Sequence, residues 1–122
     1  MNANARQRLR DALLAAELLA KELDGQTQDG FLSDPWFRAA TERQLEIIGE
    51  ALNHVRREVP SAVEQFPAIH EWVALRNVLS HLYDRVDLQI IWDTVNDDIS
   101  PLIDTLHNLL GISPDDDQWT GA

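Results

Sequence analysis

The sequence predicts an all-α fold, an up-down bundle of four to five helices. Three observations support this fold class. Apolar residues recur at spacings of three and four along four long segments, no stretch alternates apolar and polar residues as a strand does, and proline or glycine separates the segments. With 122 residues and 44% hydrophobic content, the chain can form one core. We therefore expect one helical domain over residues 1–112 and an acidic, loosely held tail over residues 113–122.

The first helix is predicted from about Ala5 to Leu23, followed by a loop. Its apolar stripe consists of Leu9, Leu13, Ala16, Ala20 and Leu23, widened by Leu14 and Leu18. Asp24-Gly25 ends the helix, because glycine readily takes the backbone conformation that closes one. Residues 24–34 are polar and contain two glycines, and this composition predicts a loop. The N-terminal segment favours a helix start over a signal peptide, because it carries acidic Asp11 and lacks a small-residue cleavage site.

The second helix is predicted from Pro35 to about Glu58. Asp34 supplies an N-cap carboxylate and Pro35 fits the first helical position, whereas Pro60 stops the helix. The segment Ser61-Ala-Val-Glu64 has a capping-box pattern and predicts a short helical turn.

A third helix is predicted from about Pro67 to Ser80 and a fourth from Asp87 to Leu110. The buried stripe of the third helix consists of Trp72, Leu75, Leu79 and Leu82. Asp87 can cap the fourth helix, and Pro101 should kink it or interrupt one backbone hydrogen bond.

The charge of the chain is unevenly distributed. Its formal net charge is −11, made of −2 in residues 1–60 (8 Lys/Arg against 10 Asp/Glu) and −9 in residues 61–122 (2 against 11). A broad nucleic-acid-coating surface requires many cations, so any contact with RNA must be small and local. The acidic half suits a basic partner protein. The chain has no cysteine, which excludes disulfides and thiolate metal sites, and no membrane-length apolar run; we expect a cytoplasmic protein with no cofactor and no membrane contact.

The segment RNVLSH, residues 76–81, brings an arginine and a histidine together in a chain poor in cations. Arg76 and His81 are five positions apart, about 140° around a straight helix, so their side chains would point apart. Both can act on one phosphate only if the helix ends near Ser80 or if a second copy of the chain contributes. The ordinary alternative is that His81 stabilises the terminal carbonyls of a helix. Spacing alone does not decide between these interpretations.

Three motifs together resemble the HepT-like branch of the HEPN superfamily, helical bacterial toxins paired with a minimal nucleotidyltransferase antitoxin (MntA-like). Residues 43–51, RQLEIIGEA, are similar to that family's R-x-L-x-I-I-G-E-A. Residues 72–83, WVALRNVLSHLY, are similar to W-x-x-x-R-N-x-x-x-H-x-Y, and Val86-Asp87 with the following helix resembles the last part of the family pattern. The resemblance covers about residues 5 to 110.

The resemblance implies a homodimeric bundle with a metal-independent ribonuclease site in a cleft shared by the two copies. Arg76 would neutralise the scissile phosphate, and His81 would act as general acid or base. Asn77 would orient one of these groups, and the antitoxin would modify Tyr83 with AMP. The implied partners are a second copy, the nucleotidyltransferase antitoxin and an RNA substrate.

Other candidate residues support weaker hypotheses. Glu50 and His54 have the i, i+4 spacing of metal ligands, but no cysteine or second histidine pair supports a metal site. A surface pair or a dimer contact is more natural, and a further alternative is a Glu50–Arg76 pair that supports the site. Arg56-Arg57 is a short cationic patch, or simply a favourable placement at a helix C-terminus. The alternative function is a non-catalytic, substrate-binding helical module that accompanies a nucleotidyltransferase. Toxicity of the chain expressed alone, compared with its His81→Ala form, would separate the two functions.

Overall fold

The computed structural model describes residues 1–81 and 87–111, and all regular structure within these ranges is α-helical, which confirms the predicted fold class. The described helices are α1 (Ala3–Leu23), α2 (Gln28–Ser33), α3 (Pro35–Glu58), α4 (Ala62–Gln65), α5 (Ile69–His81), α6 (Leu88–Asp97) and α7 (Ile99–Leu110). Helix α3 packs between α1 and α5, and α1 packs between α3 and α7. The core lies along these contacts. None of the described helices combines the length and the apolar character that a membrane crossing requires.

Two helices begin at the capping aspartates that the sequence predicts, and the last described helix ends at a glycine. Asp34 accepts a hydrogen bond from the Phe37 amide at 3.1 Å, with Pro35 at the first helical position of α3. Asp87 accepts from the Gln89 amide at 2.8 Å and caps α6. Gly111 ends α7 in the left-handed conformation, with φ of 69°.

The predicted loop over residues 24–34 is wrong in part, because it contains α2. Thr27 caps this helix by accepting from the Gly30 amide at 3.0 Å. Phe31 is fully buried, with its ring centroid 5.8 Å from that of Phe37 and 5.5 Å from that of Trp92. One buried aromatic ring therefore folds an otherwise polar segment onto the core.

The buried face predicted for α1 is wider than the face that the structure buries. Leu14 and Leu18 are 41% and 45% exposed, and Ala20 is also exposed. The buried face consists of Ala5, Leu9, Ala12, Leu13, Ala15, Ala16 and Leu19. Because α1 packs against both α3 and α7, small alanines occupy positions where two helices approach it closely, and two of its leucines are left outside.

Three boundaries differ from prediction. Ser61 is helical in conformation and makes no capping hydrogen bond, so the predicted capping box does not form. Helix α5 begins at Ile69 and ends at His81, with Trp72 and Leu79 buried and Leu75 partly buried. Leu82 of its predicted stripe lies outside the described residues.

The predicted fourth helix is interrupted before Pro101. Helix α6 ends at Asp97 and α7 starts at Ile99, so Pro101 is the third residue of a new helix. Its missing N–H has no role in a first turn, whereas inside a continuous helix its ring would clash with the carbonyl of Asp97. The prediction of one continuous helix from Asp87 to Leu110, with a kink or one missing hydrogen bond at Pro101, is therefore wrong. The acidic tail over 113–122 lies outside the described residues.

Candidate active site at the α3–α5 contact

Gly49 brings helices α3 and α5 together at the position of Arg76. An added Cβ on Gly49 would lie 2.3 Å from the Arg76 Cβ and 2.9 Å from the Trp72 carbonyl oxygen. Only a residue without a side chain permits this approach. Gly49 belongs to the motif at residues 43–51 and Arg76 to the motif at residues 72–83, so the two motifs meet in space.

Arg76 is partly buried at this contact, and its guanidinium bonds to a neutral group. Its Nη1 donates to Asn77 Oδ1 at 3.2 Å. Among the described residues, the ion pairs within 4.0 Å are Arg8–Asp11, Arg43–Glu46 and His107–Glu17, none of which involves Arg76. The charge of Arg76 is therefore not neutralised by a described carboxylate. An arginine in this state can bind a phosphate bidentately.

His81 is the last residue of α5, one position beyond the predicted end of that helix. Because α5 runs unbroken from Arg76 to His81, the two backbone positions are separated by about 7.5 Å of helical rise and about 140° of rotation. The side chain of His81 lies outside the structural description. Tyr83 also lies outside it, within residues 82–86, so its predicted modification stays a prediction.

Glu50 lies on a different surface from Arg76. It is exposed and lines a cleft between α1 and α3 with Leu14, Leu18 and Ile47. No ion pair joins Glu50 to Arg76 in the described ranges. Within those ranges there is also no group of three potential ligands that would complete a metal site with Glu50 and His54.

Arg56 and His70 form a second contact between α3 and α5, which the sequence did not reveal. Arg56 Nη2 donates to Asn53 Oδ1 at 2.6 Å, and Arg56 Nη1 lies 3.5 Å from His70 Nδ1. Arg56 and His70 are fourteen positions apart and no local motif links them, so the sequence predicts no role for His70. The antiparallel packing of α3 on α5 was the missing information.

His107 has a structural role that sequence analysis also missed. It is only 6% exposed, and its Nε2 lies 3.2 Å from Glu17 Oε1. This contact joins α7 to α1. Nearby, Arg6 Nη2 donates to the carbonyl oxygen of Leu110 at 3.0 Å and satisfies the C-terminus of α7.

A cleft of about 350 Å³ opens on the other side of α5, facing α6 and α7. Its lining includes apolar Trp72, Leu75 and Leu102 and acidic Glu71 and Asp98. Desolvation beside the cleft, followed by the charges of Asp97 and Glu71, raises the pKa of Asp98 above its usual 3.8. On α3, burial and the neighbouring Glu46 raise the pKa of Glu42, partly offset by Arg38. The carboxylates of Glu71 and Asp98 in the cleft repel phosphate, so RNA fits the Arg76 side of α5 better.

Comparison with known proteins identifies a matching family and several related proteins. The model of the family "Ribonuclease HepT-like" matches residues 12–109. "Putative RNase TTE0752" of Caldanaerobacter subterraneus subsp. tengcongensis is 31% identical over 102 residues, 84% of this chain and 90% of that protein. "Probable ribonuclease HepT" of Thermococcus cleftensis is 33% identical over 94 residues, 77% of this chain and 84% of that protein.

A third relative is a longer protein. "Gamma-glutamylcyclotransferase and putative RNase MJ0434" of Methanocaldococcus jannaschii is 28% identical over 102 residues, and the match spans 84% of this chain but 46% of that protein. No solved structure matches the chain.

These matches place the protein in a class of helical, ribonuclease-related domains. The family match covers most of the chain and confirms the resemblance found in the three motifs. The chain belongs to the HepT-like ribonuclease family.

Proposed function

We propose that this protein is the ribonuclease of a toxin–antitoxin pair and that Arg76 and His81 carry its chemistry. The observation that carries the proposal is the state of Arg76: the Gly49 contact holds its backbone, and its guanidinium bonds only to neutral Asn77 among its described partners. Family membership and the names of the relatives add support. A cation held in this way is suited to charge that develops on a phosphate.

The proposed reaction is attack of a ribose 2′-hydroxyl on the adjacent phosphorus. His81 accepts the hydroxyl proton as the new P–O bond forms, because imidazole titrates near neutral pH. The bond from phosphorus to the 5′-oxygen breaks, and a general acid returns a proton to that oxygen. The products are a 2′,3′-cyclic phosphate and a 5′-hydroxyl. Arg76 stabilises the negative charge on the phosphate, and Asn77 orients the guanidinium.

We infer that the working unit is a homodimer. Along one continuous helix, the backbone positions of Arg76 and His81 are separated by a rotation of about 140°. Two copies facing each other supply an arginine from one chain and a histidine from the other to a shared cleft. Such a site works without a metal ion, since arginine supplies the positive charge.

A nucleotidyltransferase antitoxin is the proposed partner. It adds AMP to Tyr83, the one tyrosine in the sequence, two positions after His81. The added phosphodiester charge would bind the cationic site and repel RNA. The acidic half of the chain supports docking of a partner with a basic face.

The deciding experiment measures cleavage of single-stranded RNA by the purified protein and by its Arg76→Ala and His81→Ala variants, all in EDTA. We expect cleavage by the wild type and by a matched Arg57→Ala control, and none by the two site variants. Their circular dichroism spectra should match that of the wild type. Equal activity in all four proteins would remove Arg76 and His81 from the mechanism.

A non-catalytic role is the second candidate, and the net charge of −11 favours it, since the overall field opposes RNA approach. Under this hypothesis the wild type leaves RNA intact yet still binds the nucleotidyltransferase. Growth arrest on expression of the wild type, but not of His81→Ala, would exclude it.

A further inference from the structure

We propose that Asn53, Arg56 and His70 form a second phosphate-binding subsite, which holds the RNA strand a few nucleotides away from the bond that is cut. This inference rests on the proposed function, because it concerns the same substrate. It concerns residues that lie outside the three family motifs, on the surface between α3 and α5.

The subsite faces the same side of the helix pair as Arg76. On α3, Gly49, Asn53 and Arg56 lie four and three positions apart and share one face. On α5, His70 and Asn77 are seven positions apart, two turns of helix, and share a face as well. Asn77 is the residue that accepts the Arg76 hydrogen bond. Arg76 and the Arg56–His70 pair therefore border one furrow between α3 and α5.

Arg56 shares the electrostatic state of Arg76. Its described partners are the neutral amide of Asn53 at 2.6 Å and the imidazole of His70 at 3.5 Å. In contrast, Arg8 and Arg43 lie against carboxylates. Arg6 also bonds to a neutral group, a carbonyl oxygen, so the distinguishing feature of Arg56 and Arg76 is that both border one furrow; two such arginines suit an anionic ligand.

The guanidinium of Arg56 and the imidazole of His70 can each still donate a hydrogen bond to a phosphate. Asn53 orients the guanidinium of Arg56 through one nitrogen, which reduces the conformational entropy that binding would cost. When His70 Nδ1 accepts from Arg56, the imidazole proton lies on Nε2, which can donate to a phosphate oxygen. Glu71, the next residue, lines the cleft on the other side of α5 and does not face this group.

The spacing suits a nucleic-acid strand. His70 and Asn77 are separated by about 10 Å along α5, at ~1.5 Å per residue. That distance corresponds to about three phosphates at ~3.4 Å of axis per nucleotide in a stacked strand. A dinucleotide would thus reach only the Arg76 site, whereas a longer RNA would also contact Arg56 and His70.

The first test measures binding of a fluorescent single-stranded RNA of about a dozen nucleotides, a length that spans both sites. The full-length His81→Ala protein is used so that no RNA is cut. Adding Arg56→Gln should weaken binding about tenfold, the loss expected for one charge-assisted contact. It should also make the slope of log affinity against log salt shallower by about 0.7, the contribution of one phosphate on a single strand.

Arg57→Gln is the matched control. It removes the same charge at the neighbouring exposed position of α3, about 100° around the helix. Binding should stay within about twofold of the parent, because an unspecific surface charge contributes little. Equal losses for Arg56→Gln and Arg57→Gln, or no loss for Arg56→Gln, would overturn the subsite and indicate only general attraction. Absence of any RNA binding by the parent would overturn it as well.

The second test uses the His81-containing enzyme with two substrates, a dinucleotide and the longer RNA. Arg56→Gln and His70→Ala should raise KM for the longer RNA and leave kcat and dinucleotide cleavage unchanged. Loss of dinucleotide cleavage would mean that these residues support the fold or the chemistry, against the proposal. If the enzyme cuts neither substrate, the proposed function fails, while the binding measurement still decides the subsite.

Discussion

Gly49 on α3 lies directly against Arg76 on α5: a methyl group on the glycine would stand 2.3 Å from the arginine Cβ. The backbone of α5 blocks the same space, since the Trp72 carbonyl oxygen would be 2.9 Å away. The position of the proposed catalytic arginine thus depends on a residue of another helix.

Gly49→Ala should destabilise the protein. Alanine normally stabilises the interior of a helix relative to glycine by about 0.5–1 kcal/mol, so a loss would reverse the usual sign. Because the clash involves backbone as well as a side chain, we expect the free energy of unfolding in urea to fall by about 1–3 kcal/mol. Ala39→Gly at an exposed position of α3 measures the propensity effect alone. A more stable Gly49→Ala protein would contradict the observed contact.

Mixing two inactive variants should restore ribonuclease activity. Arg76→Ala and His81→Ala are each expected to be inactive as homodimers. In a mixed dimer, the intact arginine of one chain and the intact histidine of the other occupy the same cleft, so one of the two sites is complete. Co-refolding the variants and measuring RNA cleavage tests this, with either variant refolded alone as the control. No recovered activity in a mixture proven to contain mixed dimers would place both residues of each site in one chain.

Tyr83→Phe should escape silencing by the nucleotidyltransferase. Phenylalanine keeps the ring but lacks the hydroxyl that would receive AMP. Intact-mass measurement of the co-expressed wild-type protein should show AMP additions that map to the peptide containing Tyr83. The Tyr83→Phe protein should show none and remain toxic beside the partner. Full neutralisation of Tyr83→Phe, without any mass change in the wild type, would indicate simple occlusion instead.

Asp98→Asn should stabilise the protein at neutral pH. Desolvation, Asp97 and Glu71 raise the pKa of Asp98 in the folded state above 3.8, so the folded protein binds this proton more readily than the unfolded chain. The stability contribution of this residue consequently falls as the pH rises through that range. Asparagine, which carries no charge, avoids the loss.

The gain from Asp98→Asn should be a few tenths of a kcal/mol, since Asp98 is still exposed and water screens its charge. Urea unfolding at several pH values should show the advantage disappearing as both side chains become neutral in acid. Asp104→Asn, outside the cleft, controls for the change in net charge. An advantage that grows in acid would contradict the assigned direction of the pKa.

The His107–Glu17 contact should contribute to the stability of the α1–α7 packing. Replacing each residue by alanine, singly and together, gives a double-mutant cycle. We expect a coupling free energy on the order of 1 kcal/mol, because the imidazole is almost fully buried and the carboxylate partly so. Additive effects of the two substitutions would show that the 3.2 Å contact carries no net interaction energy.

Features set by neighbouring residues were predicted correctly from the sequence, whereas features set by contacts between distant residues were missed. Helix α3 begins at Pro35 and ends at Glu58 as predicted, because Asp34, Pro35 and Pro60 act locally. The helix around Phe31 was missed, because the burial of that ring depends on Phe37 and Trp92.

The residues of the candidate site were likewise predictable only where they form a local motif. Arg76, Asn77 and His81 are visible as a motif within six residues, and their roles at the site stay predictions. The Arg56–His70 contact joins two helices and leaves no local pattern. The exposure of Leu14 and Leu18 likewise depends on which faces of α1 its two neighbours cover.

The tryptophans differ in exposure, so their fluorescence can report on different parts of the protein. Trp72 and Trp92 are 6% and 8% exposed, whereas Trp36, in the first turn of α3, is 84% exposed. An indole in water emits at longer wavelength than one in an apolar core, so in a Trp119→Phe protein the red edge of the fluorescence spectrum reports on Trp36 and the blue edge on the core. A partner that covers the start of α3 would shift the red edge alone, and unfolding would shift the blue edge.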